Sequence, residues 1–207
     1  MQPLLHLQLT VDELTLRATT EADLPALAAT LPDDVELNPA LPGADGDARL
    51  DRTARVYQQY WRNRADSRPG SWTLPFVVLR DGRILGEQTL EADDFGRLRT
   101  VETASWLVSG ARGKGIGKRM RLAVLSLAFD HLGAVVAETE AWHHNTASLG
   151  VSRSLGYLPN GVYRHLDGDG ADDMIRMRMP VETWRQHHGG LGVEIDGLAE
   201  CLEWLTA

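Results

Sequence analysis

The segment Arg112-Gly-Lys-Gly-Ile-Gly-Lys118 constrains this chain more than any other, because alternate glycines suit neither a strand nor a helix interior. It lies between an alternating stretch, Val101-Glu-Thr-Ala-Ser-Trp-Leu-Val108, and a run with helical spacing from residue 116. The chain must therefore turn here from strand into helix. A helix that starts on such a turn presents unpaired N–H groups and the positive end of its dipole. Arg112, Lys114, Lys118 and Arg119 add positive charge to an otherwise acidic chain. The turn reads as an anion site of the size of a di- or triphosphate. A Walker loop is excluded, because Gly110 and Gly115 are followed by Ile116 instead of lysine. The dinucleotide pattern G-x-G-x-x-G is excluded too, because Gly113, Gly115 and Gly117 stand at alternate positions. A basic strand–helix turn without a ligand is the remaining alternative.

Around the turn the hydrophobic period switches repeatedly between strand and helix. The pattern predicts a strand over 14–19, a helix after Thr20-Glu-Ala-Asp23, an irregular loop over 32–46 and a helix over 47–65. Strands over 74–79 and 83–90 flank Asp81-Gly82, a hairpin signal. A strand over 101–108, a helix over 116–131, a strand over 134–142 and a helix over 145–155 follow. Two last strands, from Tyr157 and over 172–179, are joined by Asp167-Gly-Asp-Gly170. The expectation is an α/β domain over 1–180, with a mixed sheet of about seven strands and about four helices. Residues 181–207 form a C-terminal extension with a helix over 198–205. Its Leu191, Val193, Ile195, Leu198, Leu202, Trp204 and Leu205 must be covered by the domain or by a second subunit. The expectation is a two-fold homodimer, with packing on its own domain as the alternative.

Composition excludes several classes. A formal charge of −8 over 207 residues argues against nucleic-acid binding, which needs a basic face. The one cysteine, Cys201, leaves neither a disulfide framework nor a Cys-rich zinc site. No run approaches the ~20 apolar residues of a membrane helix, and the start lacks the pattern of a secretory signal. A cytoplasmic protein without membrane contact is expected. No metal is expected either. His143-His144 and His187-His188 are adjacent pairs whose side chains diverge on a strand, and Asp167-Gly-Asp-Gly-Ala171 lacks the ligands of a calcium loop.

Arg112-x-x-Gly115-x-Gly117 resembles the pyrophosphate loop of the GNAT superfamily of acyl-CoA N-acyltransferases. Glu102-Thr-Ala-Ser-Trp-Leu107 resembles the E-x-G-x-W-L strand of its RimJ/RimL-type branch, with Ala104 in place of glycine. Asn145-Thr-Ala-Ser148 with Leu155-Gly-Tyr157 resembles the branch's N-x-x-S…L-G-F segment. The resemblance spans about residues 12–180 and implies a GNAT fold, with a mixed, mostly antiparallel sheet. It implies acetyl-CoA as co-substrate and direct attack by an amine in a ternary complex. The amine would belong to a protein N-terminus or a small molecule, selected by residues 32–70, 91–99 and 164–173.

By the same resemblance, Arg112 and the backbone of Gly113, Lys114, Gly115, Ile116, Gly117 and Lys118 hold the pyrophosphate. The main chain of Trp106, Leu107 and Val108 pairs with the pantetheine arm and gives an N–H to the thioester carbonyl. Asn145 holds the same arm, although asparagine is also a favoured N-cap. A lysine-like amine, pKa about 10.4, must lose a proton before it attacks, and a carboxylate is the usual means. Glu102 is the expected base, with a salt-bridged strand residue as the alternative. Glu138 and Glu140 share one face of their strand and either bind a cationic acceptor or line a wet surface. Many family members carry a general-acid tyrosine seven residues after the asparagine, where this chain has Ser152. Ser148 is the expected substitute. The departure at 152 leaves a second class open, a catalytically degenerate acyl-CoA-binding sensor or interaction module.

Overall fold

The computed structural model describes residues 2–35, 37, 41, 47–167 and 170–207. Its strands are β1 (Gln8–Val11), β2 (Leu14–Ala18), β3 (Trp72–Arg80), β4 (Arg83–Ala92), β5 (Thr100–Leu107), β6 (Val136–Trp142), β7 (Leu158–Asp167), β8 (Gly170–Pro180) and β9 (Glu194–Asp196). Among the described residues these nine form one sheet, in the order β7-β8-β6-β5-β4-β3-β2-β1-β9. Only the β5–β6 pair is parallel. The helices are α1 (Leu24–Thr30), α2 (Ala48–Asp66), α3 (Phe95–Leu98), α4 (Ile116–Ser126), α5 (Thr146–Ser154), α6 (Val181–His188) and α7 (Leu202–Thr206). The two strands beyond the expected seven, β1 and β9, are four and three residues long, too short to show a period.

Local chemistry sets the ends of the elements. Asp81 and Gly82 both have positive φ, as the two-residue β3–β4 turn requires. Asp47 caps α2 by accepting the N–H groups of Arg49 and Leu50. A π-helical segment, Leu127–Leu132, continues α4 and stops at Gly133 in the left-handed region. Most of the expected loop over 32–46, and the middle of the turn at 167–170, lie outside the described residues.

Helix α4 buries Ile116, Met120, Ala123 and Val124 in the main core, together with Val101, Leu107 and Ala137 of the sheet. On the other side Leu24, Leu27 and Tyr60 of α1 and α2 bury Val77, with Trp106 packed against them. The second cluster covers only part of its sheet face.

The extension over 181–207 packs on its own domain. Strand β9 pairs with β1, Cys201 and Leu205 are 2% and 0% exposed, and the Trp72 indole donates to the Leu205 carbonyl at 2.8 Å. The apolar tail on which a homodimer was expected to rest is thus largely covered from within. Deleting residues 190–207 is expected to lower the melting temperature by more than about 10 °C in thermal circular dichroism, since it opens a core site and removes a ladder. No helix among the described residues is long and apolar enough to cross a membrane.

Candidate active site

Strands β5 and β6 run side by side only from Thr100 opposite Val136 to Glu102 opposite Glu138. Beyond that point each stays bonded to its outer neighbour, β5 to β4 as far as Leu107 and β6 to β8 as far as Trp142. The sheet therefore splits into a wedge, and Ala104 and Ser105 are exposed although β5 is a central strand. Gly86 makes the close approach of β4 and β5 possible, since a Cβ there would collide with the Trp106 carbonyl. The Val108 N–H donates to the Leu85 carbonyl at 2.8 Å. By the alternation of an antiparallel ladder, Trp106 and Val108 turn their main chain to β4, while Ser105 and Leu107 turn theirs to the gap. The Leu107 carbonyl is taken by Arg112 Nε at 3.0 Å. Of the expected trio Trp106, Leu107 and Val108, only the Leu107 N–H faces the gap, and Ser105, not foreseen from sequence, opens there beside it.

The glycine-rich turn closes one end of the wedge. Gly115 is the N-cap of α4 at φ 75°, and no side chain caps the helix. The first intrahelical bond runs from Arg119 to the Gly115 carbonyl, so the helix leaves the N–H groups of Ile116, Gly117 and Lys118 unpaired. A Cβ on Gly113 or Gly115 would meet nothing within 4 Å. These glycines serve the backbone conformation and leave the turn open to a ligand. The basic side chains divide. Arg112 pairs with Asp34, Nη2 to Oδ1 at 2.8 Å, Arg119 pairs with Glu13 at 2.8 Å, and Lys114 donates to the Gly110 carbonyl at 2.6 Å. Among the described residues Lys118 alone of the four keeps an uncommitted charge. Arg112 braces the turn against Asp34 and β5.

On the sheet face that α1 and α2 cover only in part, carboxyls stand next to one another. Glu91 of β4 lies opposite Glu102 of β5, and Glu102 lies opposite Glu138 of β6. They line a cavity of ≈ 380 Å³ with Asp66, Arg68 and Trp72, a size that suits a small ligand. Burial pushes the Glu102 carboxyl up to about 7, and the charges of Glu91, Glu140 and Glu138 push the same way against Arg176. Burial also raises Glu91, opposed by the Thr73 hydroxyl, which donates to it at 3.4 Å. Glu138 and Glu140 pair loosely with Arg178 and Arg176 at 3.8 and 3.6 Å. Glu87, missed at first, shares this face and is raised by burial to about 7, with the Thr19 hydroxyl at 3.5 Å opposing. The strand alternation of Glu87 and Glu91 was the signal for it.

Asn145 is the N-cap of α5 and accepts the Ser148 N–H at 3.0 Å. Ser148 is half-buried, and its carbonyl accepts the Ser152 hydroxyl at 3.1 Å. Ser152 is buried and receives Arg121 Nη1 at 2.8 Å. Val151 of α5, one helical turn beyond Ser148, packs on the first turn of α4, 3.8 Å from the position of a Gly117 Cβ. The histidines behave differently from expectation. His143 and His144 lie in the turn after β6, not on the strand, and both reach Asp172, at 3.3 and 3.5 Å. The three have ligand atoms within 4.8 Å of one another, so the divergence expected of a strand pair does not apply. His187 and His188 end α6 and contact separate carbonyls, of Thr183 and Leu155.

A family model described as an acetyltransferase (GNAT) domain matches residues 13–158. RimJ of Mycobacterium smegmatis, in complex with CoA-disulfide, is 25% identical at a TM-score of 0.71, over 87% of this chain and 90% of that one. A chimera of the spermidine N-acetyltransferase SpeG from Vibrio cholerae and hSSAT is 16% identical at 0.63, over 84% and 98%. RimL, a ribosomal L7/L12 alpha-N-protein acetyltransferase in complex with coenzyme A, is 15% identical at 0.64, over 85% and 99%. The last two show likeness of fold alone.

Proposed function

Because the chain belongs to the GNAT acetyltransferase family, as an acyl-CoA-dependent N-acetyltransferase of the RimJ/RimL type, we propose that it moves the acetyl group of acetyl-CoA directly to a cationic primary amine, with Glu102 as base. One observation carries the reading. The wedge puts an open anion-binding helix terminus and a row of three glutamates, Glu91, Glu102 and Glu138, at the same break in the sheet. Like charges placed side by side on a sheet repel, and an ammonium group among them relieves that repulsion. Glu102, at about 7, is ionised often enough at neutral pH to accept the proton.

The turn at 113–118 takes the pyrophosphate through its backbone and Lys118, and Asn145 and Ser148 border the pantetheine arm. The acceptor class comprises protein N-terminal amines and small polyamines, in keeping with the printed activities of RimL and SpeG. The reaction is placed in the cytoplasm, which agrees with a single buried, unpaired cysteine. An acceptor screen against acetyl-CoA, with mass detection of the acetylated product, tests the proposal. Binding of CoA without thiol release to any amine would leave the sensor or interaction module in its place.

A homodimer is proposed on a surface other than the tail. Strand β7 is a ten-residue edge, and Val162 and Leu166 project exposed from it on one face. An identical strand from a second copy would satisfy both the edge and the apolar row. Light scattering is expected to give twice the 22.8 kDa chain mass, falling to the monomer in Val162→Lys.

A further inference from the structure

A buried cation without a counter-charge stands behind the wedge. Arg121 of α4 is 3% exposed. Its Nη1 donates to Ser152 Oγ at 2.8 Å and its Nη2 to Ser105 Oγ at 3.3 Å, while its Nε is buried without a partner. Among the described residues no carboxylate pairs with it. The one ionisable group acting on it is Tyr157, whose phenol burial holds at about 12 and which is therefore neutral. An apolar side chain of similar length would fill this position without the cost of desolvating a charge. The fold thus keeps an uncompensated positive charge directed at the gap in the sheet.

The two serines it touches differ. The Ser152 hydroxyl spends its proton on the Ser148 carbonyl. Ser105 is exposed, accepts from Arg121, and its own O–H has no acceptor among the described residues. Strand parity gives the direction. Glu102 and Ser105, three residues apart on β5, face opposite sides of the sheet. The amine approaches from the glutamate side, so the sulfur leaves toward the α4 side, where Ser105 and the anion-binding turn lie.

We propose that Ser105 is a catalytic residue that donates a hydrogen bond to the sulfur of the departing CoA thiolate, and that Arg121 is the positioning residue that orients and charges that hydroxyl. The inference rests on the transferase reading. In the step it serves, the ammonium has first lost one proton to solvent, the free amine nitrogen then bonds to the thioester carbon, and its second proton passes to Glu102. The C–S bond then breaks with its electron pair on sulfur. The thiolate is held by Ser105 until solvent protonates it, and Glu102 returns its proton to solvent. A hydrogen bond suffices, since a thiol of pKa about 8.5 is a far stronger acid than a serine hydroxyl.

The first arm of the test uses the full chain with CoA itself, so the thiol titration does not depend on the acceptor. Thiolate ultraviolet absorbance of the complex is expected to show the CoA thiol titrating at least about one unit below its free value of about 8.5. Ser105→Ala should return that titration to the free value and lower kcat about 10²-fold, with the KM for acetyl-CoA within about threefold. Arg121→Lys, which keeps the charge, should retain part of the shift, and Arg121→Met should lose it. Should Arg121→Met not fold, the exposed Ser105 still decides. A Ser105→Ala protein with wild-type kcat and wild-type thiol titration would overturn the proposal while leaving the transferase reading intact. A wild type that neither binds CoA nor acetylates any amine would overturn both.

Discussion

Gly115→Asp is expected to weaken acetyl-CoA binding at least about 10²-fold in calorimetry while the protein stays folded. Gly115 holds the left-handed backbone at the start of α4, and a Cβ there would meet nothing within 4 Å. The substitution therefore causes no collision, and aspartate tolerates this region of φ better than most residues. Its effect falls on the ligand. A carboxylate about 4 Å from a phosphate at an effective dielectric of 20 costs about 4 kcal/mol, and salt at the exposed turn screens part of that. Gly115→Ala separates the two causes, since it strains the backbone without adding charge and should lose far less affinity. Gly117→Glu should behave like Gly115→Asp, because its Cβ would meet Leu107 and Val151 at ordinary contact distances of 3.7 and 3.8 Å. Unchanged affinity in both acidic variants would mean that CoA binds elsewhere.

What could be read from the sequence followed the range of the signal. The glycine-rich turn and the hairpin at Asp81-Gly82 are local devices, where a residue type dictates a backbone conformation, and each lies where its residues placed it. The wedge was not legible. It depends on β5 and β6 parting after Glu102 and Glu138, and no residue in either strand marks a broken ladder. For the same reason the sequence did not show that Trp106 and Val108 turn their main chain to β4 and Ser105 and Leu107 to the gap, since that depends on which neighbour each group faces. Nothing in the sequence marks Arg121 as buried, since its partner Ser152 is brought to it from α5, 31 residues on. The tail was legible as apolar but not as to what covers it, because a three-residue strand such as β9 carries no period of its own. His143 and His144 diverge on an ideal strand, but β6 ends one residue earlier and the turn brings both rings to Asp172.

Glu102→Gln is expected to lower kcat/KM for an amine about 10²-fold at pH 7.5 and to change the shape of the pH profile. Burial and the neighbouring glutamates hold the Glu102 proton up to about pH 7. Below that pH the base is protonated and the rate falls. In the wild type two fractions grow together as pH rises toward 7, the ionised carboxylate and the free amine, whose pKa is about 10.4. Each contributes about tenfold per pH unit, so the rate climbs about a hundredfold per unit below 7 and about tenfold above it. Glu102→Gln should keep only the shallower slope throughout, recovering in absolute rate at high pH where free amine is abundant. The position of the break tests its cause. Glu91→Gln and Glu138→Gln each remove a negative charge that raises Glu102, and each should move the break to lower pH without abolishing it. A Glu102→Gln profile that still breaks near 7 would pass the role to another group, and Glu87, raised to the same value on the same sheet face, would be the carboxyl to replace next.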